Sequence, residues 1–215
     1  MQKKLTLTMM PSSIDKFKYK CSQFFLGLCF FIFVVVLFFN VTYSVAPVSG
    51  YSMLPTLNEN FVAGKENSQD RVVLNYIAGY KKGDIIVAKK QYNDGDDYIY
   101  VIKRLIAIGG DTVEVKPNGD VYVNGKYLEE NYTTNTKSAT YSKMQNLKSI
   151  KPELFTGNVL NVPKNYVFYL GDNRAGSSDC SDYGPVKKGN VIARVDFVIK
   201  SGENFYLSIL KQIFN

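Results

Sequence analysis

The 215-residue chain contains no histidine and no tryptophan, and only three cysteines. Without histidine, the commonest general base for a hydroxyl or thiol nucleophile is missing, and so are the mixed Cys/His zinc sites. There is no C-x-x-C pair either, so no metal and no other cofactor is expected. Cys21 and Cys29 fall in or beside a long apolar run, which leaves Cys180 alone and excludes a disulfide scaffold. A basic stripe with interleaved aromatics is also lacking. Of the net charge of +7, the first twenty residues carry +4, from Lys3, Lys4, Lys16, Lys18 and Lys20 against Asp15. The remainder is thinly spread, so nucleic acid is not expected as a partner.

What is abundant is apolar and aromatic: 14 Phe and 16 Tyr. Phe24 to Phe39 is unbroken by polar side chains, and Val41, Tyr43, Val45 and Ala46 extend it. About 20 apolar residues cross a bilayer. Lysines before the run and few after it predict a single pass, with the N-terminus cytoplasmic and everything beyond about residue 45 outside. Ser44-Val45-Ala46 imitates a signal-peptide cleavage site. The length of the run and Pro47 immediately after it favour an uncleaved anchor in a lipid bilayer.

Beyond the anchor the periodicity is that of strands. Residues 84–90, 98–108, 111–115, 120–128, 165–172 and 190–199 are short runs rich in β-branched and aromatic residues, bounded by Gly, Asn, Asp or Pro. Asn118-Gly119 and Asn124-Gly125 are hairpin turns by composition. The expected fold is mainly β, an antiparallel sheet with a smaller inserted β lobe. The segments are a basic stretch 1–22, an anchor 23–45, a β core from 46–113 and 165–200, an inserted lobe 114–164, and an amphipathic helix 201–215. Residues 131–161 are polar and weakly periodic, and predict a surface insertion with little secondary structure. In the tail, Phe205, Ile209, Ile213, Leu210 and Phe214 stand at helical spacing, which predicts a helix packed on the sheet; contact with a membrane surface is the lesser alternative.

Three places could carry chemistry. In VSGYSMLPTL, Ser52 sits on a turn. A hydroxyl nucleophile needs a base, and with histidine absent the candidates are a carboxylate or a neutral lysine. Lysine at its ordinary pKa is neutral in only about one molecule in 2,500 at pH 7, but burial lowers that pKa by disfavouring the charge. Lys103 alternates onto the same strand face as Ile99, Val101 and Leu105, where a charge would be costly. Taken singly, Ser52 reads as a turn serine and Lys103 as a strand lysine reaching for solvent. The third place is GDNRAGSSDCSDYGPV, Gly171 to Val186, where short polar side chains and glycines crowd after a strand.

Taken together these blocks resemble the type I signal peptidases, membrane-anchored Ser/Lys endopeptidases of bacteria. GYSMLPTL, GDIIVAKK, KRLIAIGGDTVEV and GDNRAGSSDCSDYGPV with the following IARV occur in the family's order after an N-terminal anchor. The resemblance implies that Ser52 attacks the scissile carbonyl and Lys103 accepts its proton. By the same resemblance Ser177 orients the lysine, the Ser52 amide helps bind the oxyanion, and Asp172 with Arg104 braces the site. Gly50 stands where some members place an oxyanion serine. Met53, Leu57, Val101 and Ile102 match positions that line the substrate pockets, though each reads equally as core.

Departures fall at Ala107 and Gly109, where the family has Gly and Pro, and at Cys180 and Ser181, where it has Ser and Arg. The last removes a cation expected beside Asp179. The implied substrates and partners are exported preproteins, cleaved after small-x-small motifs by a monomer in the bacterial cell membrane. The competing readings are a non-catalytic or substrate-dedicated paralogue that holds exported proteins, and a self-cleaving repressor. The anchor argues against the repressor.

Overall fold

The computed structural model describes residues 13–65, 68–91, 97–133 and 137–214. Lys3 and Lys4, which weighed in the topology argument, lie outside the described residues, as do residues 134–136 of the polar insertion. The chain divides after Thr42 into two compact units.

The first unit is helix α1, Ser13–Thr42. Its stretch Lys16–Thr42 is long and apolar enough to cross a membrane, and its 27 residues measure about 40 Å at 1.5 Å per residue. Asn40, the polar interruption, donates its side-chain amide to Val36 O within the helix (2.8 Å). The helix stops at Thr42. Tyr43 to Val45, counted with the anchor on hydropathy, instead open strand β1 (Tyr43–Pro47).

The second unit is built on antiparallel pairs. Seven strands form the larger sheet: β1, β2 (Arg71–Asn75), β3 (Ile85–Lys90), β4 (Ile99–Ile108), β10 (Tyr166–Leu170), β11 (Val186–Lys187) and β12 (Val191–Ile199), in the order β1-β2-β12-β3-β4-β10-β11. Five shorter strands form the other, in the order β7-β6-β5-β9-β8: β5 (Thr112–Val115), β6 (Val121–Val123), β7 (Lys126–Tyr127), β8 (Phe155–Thr156) and β9 (Val159–Asn161). Of the two hairpin signals, Asn118-Gly119 lies in the five-residue loop between β5 and β6, with only Gly119 at positive φ, and Asn124-Gly125 makes the tight turn. Asn124 and Gly125, at φ +53° and +73°, make the two-residue turn between β6 and β7, where both central residues need positive φ.

Residues 131–161 are not the structureless insertion expected. Ser138–Ile150 is helix α2, and β8 and β9 follow it. Thr140, Met144 and Leu147 are the buried residues of the helix, with Tyr141 half-buried against the same cluster, and so sparse an apolar face among polar neighbours leaves little periodic signal. Its position is fixed from outside: a Cβ on Gly119 (φ +89°) would meet Lys137 C at 2.1 Å, so the β5–β6 hairpin tip presses on the start of α2.

One hydrophobic cluster joins both sheets and α2: Ile86, Leu105 and Phe168 of the large sheet pack with Val113 and Leu160 of the small one and with Met144 and Leu147. A second cluster, Val48, Met53, Leu57, Val72, Leu74, Val87 and Ala193, lies beneath the turn that carries Ser52. Helix α3 (Cys180–Tyr183) is a single turn closed by a capping box between Asp179 and Asp182. Helix α4 (Phe205–Phe214) packs on β12.

Candidate active site

The segment after β1 is a chain of tight turns held from below. Met53 and Leu57 are buried and pin it to the second cluster. Asn58, buried in the left-handed region at φ +64°, ties the loop closed. Its side-chain amide donates to Val48 O (2.8 Å) and Gly50 O (2.9 Å), while its own N–H and Oδ1 pair with Asp70. Gly50 has φ +84°, a conformation that favours glycine, with open space where a side chain would stand. Ser52 emerges from this framework.

Lys103 comes from the middle of β4, in register with Ile86 of β3. It is buried, 4% exposed. Its Nζ lies 2.8 Å from Ser52 Oγ and donates to Ile102 O at 2.9 Å. Burial, opposed chiefly by the Asp179 carboxylate and helped by the nearby charge of Lys90, pushes its pKa down to about 8. The two residues that composition left without a visible partner are therefore each other's neighbours, 51 positions apart in sequence.

The polar cluster after β10 wraps this pair. Gly171 permits the approach: a Cβ there would fall 2.2 Å from Ser177 Oγ and 2.5 Å from Ser52 O. The Asn173 N–H and side-chain amide donate to Ser52 O and Tyr51 O (both 3.1 Å). Ser177 Oγ is buried and makes no hydrogen bond, so the bond to Lys103 implied by the resemblance is absent in this geometry. Asp172 and Arg104 form a fork, Nε to Oδ1 at 2.9 Å and Nη2 to Oδ2 at 2.7 Å, with Thr56 Oγ1 adding a third bond to the carboxylate (2.5 Å).

A groove of about 630 Å³ opens onto Ser52 and Lys103 between the β1 end (Ala46, Val48) and the start of β4. Val101 and Ile102 line it. Met53 and Leu57 do not: they are core beneath the turn. β3 covers one edge of β4 along its first six residues, whereas β10 pairs only from Arg104 onward. The other edge at Ile99–Ile102 thus has no strand neighbour among the described residues.

The profile of the family described as "Signal peptidase, peptidase S26" matches residues 21–200. The chain belongs to that family. It is 33% identical over 176 residues to Signal peptidase IB of Staphylococcus aureus, covering 76% of this chain and 82% of the relative. To Signal peptidase I S of Bacillus subtilis it is 34% identical over 140 residues, 65% and 67% of the respective chains. A crystal structure of a signal peptidase I from Enterococcus faecalis is 29% identical, covering 55% of this chain and 97% of that one, with a TM-score of 0.39. Family membership makes the protein a serine peptidase of the type I signal peptidase group, whose reaction is removal of signal peptides.

The peptidase's departures from the family pattern are absorbed locally. Asp179 needs no arginine at position 181: its carboxylate accepts from Gly171 N (2.9 Å), Ser181 N (3.1 Å) and Ser181 Oγ (2.7 Å). At Gly109 a Cβ would meet Pro163 O at 2.9 Å and Asn165 N at 3.0 Å, so the backbone there runs too close for a side chain. Ala107 and Cys180 are fully buried, and burial pushes the Cys180 thiol up, which makes it packing rather than chemistry.

Several supporting residues have no local signature. The ring of Tyr132 lies 3.9 Å from the Arg104 guanidinium, and its hydroxyl donates to Glu130 (3.2 Å). Glu130 is in turn ion-paired with Arg174, both wholly buried. Lys143 of α2 donates to Ser177 O and to Asp182. Lys90, 3.8 Å over the Tyr183 ring, donates to Ser178 Oγ (3.2 Å). The signal that finds them is buried charge, which becomes visible only after folding.

Proposed function

We propose that the protein removes signal peptides by a Ser52/Lys103 dyad, as a single-pass monomer with the catalytic unit outside the cell membrane. The observation that carries this reading is the 2.8 Å approach of Lys103 Nζ to Ser52 Oγ, inside a groove, with the lysine pKa brought down to about 8. Lys103 in its neutral form takes the Ser52 proton as Oγ attacks the scissile carbonyl. The ammonium so formed then protonates the departing amine. Neutral again, Lys103 activates the water that hydrolyses the acyl-serine. The Ser52 N–H supports the oxyanion; Gly50 offers no side-chain donor, so this hole leans on backbone.

The substrate lies extended against the open edge of β4 at Ile99–Ile102, its main chain adding a strand beside Lys103. Side chains at the P1 and P3 positions then point into the walls formed by Val101, Ile102 and the β1 end, which suits small residues and a small-x-small motif. Ser177, buried and unpartnered beside Ser52 O, is poised to meet Lys103 once the ammonium forms. Asp172, Arg104 and Asp179 hold the walls. The holding-factor alternative gains no support, since nucleophile and base are both present and adjacent.

The test is direct. Full-length protein in detergent should cleave a preprotein after a small-x-small motif, and Ser52→Ala and Lys103→Ala should each abolish cleavage while the circular dichroism spectrum is retained. Undiminished cleavage by Lys103→Ala would sink the dyad.

A further inference from the structure

Helix α4 is packed the opposite way round from a surface helix in water. Its inner side is largely polar. Ser208 is buried and donates to Glu203 (2.6 Å), and the Gln212 side chain closes two bonds with Val198 of β12, accepting from its N–H (2.9 Å) and donating to its carbonyl (2.6 Å). Phe205 and Ile209 are half-buried beside them. Tyr206, Leu207, Leu210, Ile213 and Phe214 face outward, from 48% to 82% exposed. The one charge among them, Lys211, is paired with Glu203. A helix in water puts such residues inside, and a contiguous apolar face left outside marks a surface meant to be covered.

We propose that this face lies in the interfacial layer of a lipid bilayer, with Tyr206 and Phe214 at its ends and the aliphatic side chains between them among the first methylenes. A bilayer is favoured over a protein partner because the chain carries its own membrane segment. Lys16–Thr42 is apolar enough to span, and Tyr43 follows with no linker as the first residue of β1. β1 pairs with β2 and β2 with β12, so the strand that leads into α4 belongs to the same sheet as the strand that follows the span in sequence. A groove beside α4 adds the basic side chains of Arg71 and Lys200, the latter also paired with Asp70, and these suit anionic headgroups. The proposal rests on the anchor reading above.

The absence of tryptophan gives a clean reporter. Full-length Leu210→Trp and Phe214→Trp, reconstituted in vesicles containing lipids brominated near the headgroup, should be quenched roughly half as strongly as Phe31→Trp in the span or more. Tyr127→Trp, on the small sheet, should be quenched by aqueous acrylamide instead. Quenching of Leu210→Trp and Phe214→Trp by acrylamide but not by brominated lipid, while Phe31→Trp is quenched by lipid, would overturn the proposal and leave the anchor intact. Shielding from both quenchers would also overturn it, in favour of a protein partner. Loss of lipid quenching at Phe31→Trp would overturn the anchor reading and the proposal with it.

Discussion

Lys103 pays for its role in stability. Its pKa is depressed from 10.5 to about 8, so the unfolded chain binds that proton more tightly, and folding at neutral pH works against it. The cost is fully present below pH 8 and falls away as pH rises from 8 through 10.5. Lys103→Met should therefore be inactive yet more stable than the parent at pH 7, by on the order of 2–3 kcal/mol, with the gap closing toward pH 10.5; thermal unfolding at several pH values measures it. The same shift sets the rate profile. About one molecule in ten holds the neutral amine at pH 7, so kcat/KM should climb along a limb centred near pH 8, and a flat profile from pH 6 to 10 would count against a lysine base. Part of the depression comes from the charge of Lys90, itself facing Asp182, Cys180, Asp179 and the Tyr183 ring. Lys90→Met should move the limb to higher pH, whereas a purely structural Lys90 would lower the rate without moving it. At this scale the sequence was informative where a residue's own neighbours define it: Lys103 stood on an apolar strand face, and the lack of histidine directed attention to it. Asn58, Glu130 and Arg174 were illegible because their partners are 8 to 44 positions away and nothing local betrays their burial.

Among the elements, the strands with period-2 alternation were legible and those with other burdens were not. β1 was hidden because its residues continue the hydropathy of the span, and α2 because its apolar face is sparse: Met144 and Leu147 buried, and Tyr141 half-buried beside them. α2 nevertheless holds a site wall, since Lys143 reaches Ser177 O and Asp182 across the interface with α3. Leu147→Ala should cost about 2–4 kcal/mol in chemical unfolding. The buried pair at the neighbouring loop should be harsher: Glu130→Gln leaves Arg174 charged and unpaired in the interior, an expected loss of about 3–5 kcal/mol. If Glu130→Gln unfolds no more easily than the parent, that charge is compensated elsewhere and the bracing of Arg104 through Tyr132 is dispensable.

For the whole molecule, the division after Thr42 is one that the proposed function reads as chemistry in the second unit and delivery in the first. Among the described residues, those that line the groove at Ser52 and those that hydrogen-bond it fall within 46–192, in the second unit. A preprotein whose signal segment sits in the bilayer meets an enzyme confined to the same surface at a high effective concentration, and a free peptide does not. Deleting residues 1–42 should therefore leave kcat/KM for a short soluble peptide near the parental value. Cleavage of a vesicle-inserted preprotein should fall by about tenfold or more under the same protein concentration. An equal loss on both substrates would mean that α1 contributes to the catalytic fold, and no loss on either would remove tethering from the account. That tenfold fall is what remains after α4, lying at the bilayer as proposed above, has kept part of the catalytic unit's attachment. Combining the deletion with Leu210→Glu on α4 should then bring the cleavage of the inserted substrate down further while the peptide rate stays put.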